Sequence, residues 1–251
     1  MFSGEVRFFV ASHSAWAPGI DTEAAWLAWA HGQPNSSASG EPKLQDMPAM
    51  LRRRASSTGK MALETAYHCL PSVPETPIIF ASRHGEAARS RTLLQDLITQ
   101  QPLSPATFSL SVHNANAGLL SIARADRGNH IAIAAGPATV EHAIIEACGL
   151  LADGTRQVLL VMADSPPPEC FRHYDDCAEQ AYAWAWLLQN TPASDGAPAF
   201  SLSWSATEHD TNDINHAQKP GGLDILRFYL RSDAALTRVA NGQHWQWSRH
   251  D

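Results

Sequence analysis

The sequence predicts an α/β protein: a layered sandwich in which helices cover a mixed, largely parallel sheet. Three observations carry that expectation. Short β-prone runs alternate with segments of helical periodicity along most of the chain. Residues 157–163 (QVLLVMA) are almost uniformly apolar, as expected of a strand covered on both faces. The segment before them places Val140, Ala143, Ile144, Ala147 and Leu151 at i, i+3, i+4, i+7 and i+11, which is one continuous helical stripe.

The elements follow in order. Residues 6–11 (VRFFVA) form a first strand. Thr22 can cap a helix carrying Ala25, Trp26 and Trp29 on one face. Residues 33–41, rich in Ser, Gly, Asn and Pro, make a surface loop. Residues 57–70 read as a helix with Met61, Ala62, Ala66 and Cys69 facing inward, and residues 77–82 as a buried strand. Residues 86–100 are a helix whose apolar stripe is Leu93, Leu94, Leu97 and Ile98. Residues 130–135 are a strand feeding the helix of residues 140–151, which Asp153-Gly154 closes. Farther on, residues 198–206 and 243–248 alternate polar and apolar, suggesting strands near a sheet edge, and residues 223–231 are a helix. With no internal repeat and no low-complexity segment, a single domain over residues 1–251 is expected.

Composition excludes several classes. At 44% hydrophobic and 17% charged residues, the chain has ample material for a core and no signature of disorder. Its 18 Lys+Arg against 25 Asp+Glu leave a formal charge of -7, so neither a nucleic-acid backbone nor an anionic membrane surface is attracted to it. No apolar run approaches the roughly 20 residues of a membrane span, and the first five residues do not open a secretion signal. Cys69, Cys148, Cys170 and Cys177 are too few and too scattered for a disulfide scaffold. A soluble, cytoplasmic protein is expected.

Several constellations of polar and aromatic residues have plainer roles. Cys170, His173 and Cys177, with Asp175 and Asp176 between the last two, lack a second Cys/His pair at zinc spacing. An exposed polar loop after Pro166-Pro167-Pro168 is the favoured reading, and no metal is expected. His209, Asp210, Asp213 and His216 lie in a hydrophilic, turn-forming stretch better read as a solvated loop. Trp184/Trp186 and Trp245/Trp247 share a face only in a strand, where core or interface packing is the common use. The chain has no G-x-S-x-G elbow and no G-x-x-x-x-G-K-[ST] loop, and Gly32 to Gly40 lacks the strand–helix setting of a dinucleotide fingerprint. No cofactor is expected.

The informative stretch runs from Leu103 to Ala163. Asn114-Ala115-Asn116-Ala117-Gly118 opens a helix, a glycine-containing loop and the strand of residues 130–135 follow, then a strand-to-helix elbow, a helix, and a strand ending at Asp164. Together with residues 51–66 and Phe80-Ala81-Ser82-Arg83-His84-Gly85-Glu86, this ordered set resembles the N-terminal half of a β-ketoacyl synthase, of the thiolase-like superfamily. The resemblance covers residues 5–165 and implies a thiolase-like half-fold. Where a ketosynthase has Ala-Cys-Ser or Ala-Cys-Thr at the elbow, this chain has Ala135-Gly136-Pro137-Ala138-Thr139, which puts Pro137 at the nucleophile position. Proline suits the first turn of a helix, because its fixed φ and missing N–H cost nothing there, but it brings no nucleophile. Cys148 falls about three turns into the following helix, too far along to replace it. The family's two catalytic histidines belong to a C-terminal half that this sequence does not complete.

A ketosynthase-like chain without the cysteine is similar to a chain-length factor, the inactive partner of an active ketosynthase. The segments SVHNANAG and FASRHGEAARSRTLLQDL are similar to the compact chain-length-factor-like proteins of bacterial aryl polyene clusters. The resemblance implies no catalytic residue, a degenerate elbow at Gly136 and Pro137, and a heterodimer with an active β-ketoacyl synthase that is served by an acyl carrier protein. In such dimers the strand before the elbow pairs with its counterpart, which here implicates His130, Ile131, Ala132, Ile133 and Ala134. Phe108, His113, Asn114 and Asn116 lie where the family reaches toward the partner's pocket and are candidate tunnel or interface residues. For Asn114, a helix N-cap is an equally good role. Two other readings stay open: a stand-alone acyl-thioester hydrolase or acyltransferase, which needs a Cys–His or Ser–His pair in reach, and a plain binding domain.

Overall fold

A computed structural model describes residues 3–33, 40–70, 74–207 and 219–251. The strands are β1 (Ser3–Trp16), β2 (Ile78–Ala81), β3 (His130–Ile133), β4 (Gln157–Asp164), β5 (Tyr182–Gln189), β6 (Ala199–Ala206), β7 (Ala235–Ala240) and β8 (Gln243–His250). The helices are α1 (Glu23–Ala30), α2 (Ala49–Arg52), α3 (Ser57–Cys69), α4 (Ala87–Ile98), α5 (Pro105–Ser109), α6 (Ala115–Arg124), α7 (Thr139–Ala152) and α8 (Gly221–Arg231). Among the described residues the strands form one sheet in the order β3-β2-β4-β5-β1-β6-β8-β7.

The layered α/β sandwich and the mixed sheet agree with the sequence; the expected predominance of parallel pairing does not. Only β3–β2 and β2–β4 are parallel, and the other five pairings are antiparallel. The reason lies in the connections. Helices return the chain from β2 to β3 and from β3 to β4, as parallel pairing requires. After β4 no α-helix intervenes before β5, and β7 turns into β8 over Asn241 and Gly242, both at positive φ, as a two-residue hairpin turn demands. The segments of residues 198–206 and 243–248 are strands near a sheet edge, as expected: β8 and β6 are second and third from the edge strand β7.

Strand β1 joins two half-sheets. Its residues 9–16 pair with β5 and its residues 3–9 with β6, so Phe9 faces Gln189 on one side and Ala199 on the other. A register shift between Val10 and Ser12 marks a bulge near the junction, the device by which strands bend. Beside it Phe8 is fully buried, stacked on Phe200 at 5.9 Å and set edge-on to Trp247 at 6.4 Å.

Strand alternation explains the two cores. Val158, Leu160 and Met162 enter one core with α7 and α8, whereas Leu159, Val161 and Ala163 enter the other with α3 and α6. In β5 the alternation is one of size. Tyr182, Trp184 and Trp186 fill the α7/α8 side, and Ala183 and Ala185 let α3 lie close on the opposite side. Both tryptophan pairs are therefore core, with the Trp184 indole N–H donating to Gly222 O at 2.9 Å. Thr22 caps α1 as expected, accepting from the Ala25 amide, and Ser56 caps α3 by accepting from the Gly59 amide.

The α4 stripe departs from expectation. Leu93 is buried, but Leu94 is exposed, Leu97 is 60% exposed and Ile98 77% exposed. Helix α4 packs against α5 instead of on the sheet, so its apolar face points outward. Met61, Ala62, Ala66 and Cys69 of α3 are all buried as expected.

The packing around β5 supports a direct test. A Cβ at Gly222 would fall inside contact distance of the Tyr182 hydroxyl, which is buried without a partner among the described residues. Gly222→Ala should destabilise by about 1–3 kcal/mol through overpacking. Tyr182→Phe should be neutral or stabilising, because it removes an unpaired buried hydroxyl, and should recover part of the Gly222→Ala loss. Urea unfolding of the two single variants and the double variant checks this; strictly additive losses would contradict it.

Candidate functional site

The carboxyl ends of β2, β3 and β4 carry the elbow and a buried polar network. After β3, Gly136 takes φ +52°, a conformation glycine adopts readily, and Pro137 follows in a single 3-10 turn that runs into α7. Thr139 closes the turn, its hydroxyl accepting from the Ala135 amide at 3.0 Å and donating to Gly136 O at 2.7 Å. The hairpin of β7 and β8 reaches the same turn. Asn241 donates to Ala135 O at 2.8 Å, and Arg238 donates to Pro137 O at 3.1 Å while ion-pairing with Glu141, whose side chain is buried in α7. The ring of His142 donates from Nδ1 to Ala138 O at 2.9 Å and sits against Trp245. The carbonyls of residues 135–138 are thus all engaged, and Pro137 has no amide to offer.

Nucleophiles lie elsewhere. Burial pushes the thiols of Cys69, Cys148 and Cys177 up to about 12. Cys148 sits within α7 near Arg7 O, away from the elbow. Ser–His contacts occur at Ser14–His68, 3.4 Å, and Ser201–His250, 2.9 Å, on strands β1 and β6. Neither adjoins the elbow.

The candidates of residues 108–116 divide. The ring of His113 donates to Ile133 O at 3.2 Å and leans on Gly85, so it fastens this segment to β3. Asn116 donates to Glu86 Oε1 at 3.1 Å, and the same carboxylate accepts from Ser56 at 2.8 Å and Arg89 at 3.0 Å, forming a buried hub. Phe108 is 66% exposed on α5. Asn114 is exposed at the N-cap position of α6, where its side chain makes no capping bond. His130, Ile131, Ala132 and Ile133 are half-buried in β3, an edge strand bonded to β2 on one side only, and Ala134 is exposed.

The polar network next to this edge was not anticipated. Asp164, at the end of β4, is fully buried and accepts from the Ser82 hydroxyl at 2.8 Å and the Arg83 amide at 2.9 Å. Burial raises its pKa from 3.8 to about 6 despite those bonds. Arg83 reaches Asp176 at 2.5 Å, Glu179 at 2.8 Å and the Cys177 sulfur at 3.1 Å, and His84 Nε2 lies 3.0 Å from Glu179. The bond to Glu179 raises the His84 pKa against the opposing effect of burial. Burial alone would raise Glu179, but the bond to His84 and the charge of Arg83 outweigh it and hold the carboxyl below its ordinary range.

The segment containing Cys170, His173 and Cys177 is therefore only partly the exposed loop that was expected. Cys170 and His173 are exposed, whereas Asp176, Cys177 and Glu179 turn inward, their ligand atoms within 4.8 Å of one another. The Arg83 guanidinium supplies positive charge to that cluster. The sequence signal available was Phe80-Ala81-Ser82-Arg83-His84, polar residues directly after a buried strand. His209, Asp210, Asp213 and His216 lie outside the described residues.

The fold and its elbow define a class. The chain matches the family described as β-ketoacyl synthase, N-terminal domain, over residues 26–248, and it belongs to that family. The match extends well beyond residue 165, where the motif resemblance stops. Among solved structures, it is similar to a chain from the ketosynthase (ApeO) in complex with its chain length factor (ApeC) from Xenorhabdus doucetiae. That likeness has 25% identity and a TM-score of 0.82, over 97% of this chain and 100% of that one. The ishigamide ketosynthase/chain length factor shares its fold at 10% identity, covering 98% and 99% of the two chains with a TM-score of 0.72. The AntDE:AntF complex, a type II PKS acyl-carrier protein with its ketosynthase bound to the hexaketide, does so at 12% identity, covering 98% and 99%, with a TM-score of 0.67. No curated protein matches the chain. Among the described residues no helix is long and apolar enough to cross a membrane.

The raised Asp164 pKa fixes the sign of a pH effect. A folded-state pKa of about 6 against 3.8 means that the contribution of this group is fully present below about pH 4 and is lost as pH rises through about 6. The displacement corresponds to about 3 kcal/mol. Asp164→Asn keeps an acceptor for Ser82 and Arg83 without the charge. It should be more stable than wild type at pH 8, by up to about 3 kcal/mol, with the difference shrinking toward pH 4. Urea unfolding across that range tests this, and a variant less stable than wild type at pH 8 contradicts it.

Proposed function

We propose that this chain, as one ketosynthase-like domain over residues 1–251, is a non-catalytic chain-length factor. In this reading it pairs with an active β-ketoacyl synthase in a cytoplasmic complex served by an acyl carrier protein, and it shapes the acyl tunnel in aryl polyene-type biosynthesis. The observation that carries the reading is the closed elbow. Pro137 offers neither thiol nor amide proton, and Thr139, Asn241, Arg238 and His142 engage the surrounding backbone. A turn built this way can hold a shape but has nothing to attack a thioester with. The similarity to a ketosynthase–chain length factor complex supports the same role.

The surface supports a permanent partner. The outer edge of β3 is unpaired among the described residues, and exposed strand edges invite pairing. Leu94, Leu97, Ile98, Phe108 and Val112 are exposed on or just beyond α4 and α5, an apolar face larger than scattered exposure requires. Covering such a face together with the edge should bury more than about 2,000 Å², as obligate complexes do.

Co-expression tests the assembly: the chain should co-purify with a ketosynthase and aggregate when made alone. Ala132→Arg, which sets an unpaired charge in the β3 seam, should break the complex at a cost of several kcal/mol. A stable monodisperse monomer, or an Ala132→Arg variant that still co-purifies, would sink the reading.

Chemistry gives a second test. Pro137→Cys restores a thiol without a base to activate it, so neither the wild-type chain nor this variant should condense malonyl thioesters. A stoichiometric acyl adduct on the wild-type chain, detected by intact mass, contradicts the assignment. For the tunnel, Asn114→Phe on the exposed start of α6 should shorten the polyene without abolishing it. Product length read by mass spectrometry checks this, and unchanged length in an intact complex argues against lining by this segment.

A further inference from the structure

The two Ser–His contacts of the molecule differ in what surrounds them. His68 Nε2 lies 4.0 Å from Glu64 Oε1, whereas His250 has no carboxylate at ion-pair distance among the described residues. Ser14 stands on β1, with its Oγ 3.4 Å from His68 Nδ1, and Glu64 and His68 are one turn apart on α3. Hydroxyl, imidazole and carboxylate therefore follow one another in a row. Glu64 is itself held, because its Oε2 accepts from the Leu44 amide at 2.7 Å, which leaves Oε1 toward His68. All three side chains line a cleft of about 430 Å³ at the carboxyl end of β1, a volume suited to a small molecule. Contacts of 3.4 and 4.0 Å are long for a working relay, as is common before substrate binds.

The strand supplies a second, independent feature. Residues 3–9 of β1 pair with β6, but residues 10–16 pair with β5 alone. In an antiparallel ladder alternate residues turn their N–H away from the partner strand. Beyond Phe9 no acceptor for those outward amides is found among the described residues. Four successive residues, His13 to Trp16, line the cleft, so it runs along this open edge. A carbonyl oxygen seated there meets a backbone donor within one residue of Ser14, as an oxyanion site requires.

We propose that Ser14, His68 and Glu64 form a hydrolytic site for small uncharged carboxylic esters. The Ser14 oxygen attacks the ester carbonyl carbon, and its proton passes to His68 Nδ1. The C–O bond to the alcohol then breaks, and the alcohol leaves with that proton. Water attacks the acyl-Ser14 ester and gives a proton to His68; the carboxylic acid departs as that proton returns to Ser14 Oγ. Glu64 is the positioning residue, orienting the imidazole and stabilising its charged form. The walls carry Asp21, Glu23, Glu41 and Glu64 against Lys43, so anionic acyl groups, malonyl included, are repelled. The site is separate from the elbow, its chemistry is hydrolysis and not condensation, and it does not depend on the chain-length-factor reading.

The test follows nitrophenol release from 4-nitrophenyl acetate by the full chain, with its ketosynthase where the two co-purify. Hydrolysis should saturate with substrate, and Ser14→Ala or His68→Ala should each lower kcat/KM at least about a hundredfold. The His68 side chain is 58% exposed, so its replacement keeps the test decisive if Ser14→Ala fails to fold. Glu64→Gln should lower kcat at least about tenfold with KM unchanged, a split that a packing defect would not produce. The anionic succinate monoester of 4-nitrophenol should react at least about tenfold more slowly than the acetate. An uncharged alkyl fluorophosphonate, whose fluoride leaves as the Ser14 oxygen bonds to phosphorus, should leave an adduct that peptide mapping places on Ser14. No saturable hydrolysis, or an unchanged rate in any of the three variants, overturns the proposal. An adduct elsewhere on the chain, or equal rates for the two esters, does the same.

Discussion

Everything in this fold hangs on the burial of Phe8 at the point where β1 changes partners. One long strand serves two half-sheets, with β5 along its carboxyl half and β6 along its amino half. A sheet that changes partners in mid-strand needs a rigid centre, and aromatic packing provides it. Phe8 touches Trp186 from β5, Phe200 from β6 and Trp247 from β8, so one side chain ties both halves to one core. The adjacent bulge lets the strand bend there without losing either ladder.

That bend brings the ends of the sheet together. Strands β3 and β7 are opposite edges in the hydrogen-bonded order, yet Arg238 of β7 and Asn241 of the following turn contact the elbow after β3. Helix α7 lies between them, with Glu141 buried at its first turn and held by Arg238. A buried carboxylate is tolerable only when it is paired, so this ion pair locks the far hairpin onto the elbow. The elbow's shape is thus set by residues about a hundred positions later in the chain.

The legibility of the sequence follows from this arrangement. The βαβ part was readable because its signals are local: the stripe of α7, the doubly apolar β4 and the cap at Thr22 each lie within a few residues. Strand direction in the second half was not, because it depends on a partner change at Phe9 that leaves no mark on alternation. The Asn241-Gly242 dipeptide was the one local sign of the closing hairpin. The α4 stripe misled for a different reason. Periodicity shows that a face is apolar but not what covers it, and Leu94, Leu97 and Ile98 face outward. At the site, the strand-to-helix turn after β3 was legible in the motif order, whereas the engagement of Asn116 with Glu86 and of Arg83 with Glu179 joins residues 30 and 96 positions apart.

The same logic explains why a turn with no nucleophile can retain its form. In a reactive elbow, backbone amides and a thiol must stay free to meet substrate, which limits how much the surroundings may stabilise them. Pro137 offers neither group, and the carbonyls around it accept bonds from Asn241, Arg238 and His142. The elbow thereby becomes a structural joint holding β3, α7 and the β7–β8 hairpin in register. A joint of that kind fixes the edge strand's position, and a fixed edge is what a pairing partner needs, since ordering a loose strand on association would oppose binding.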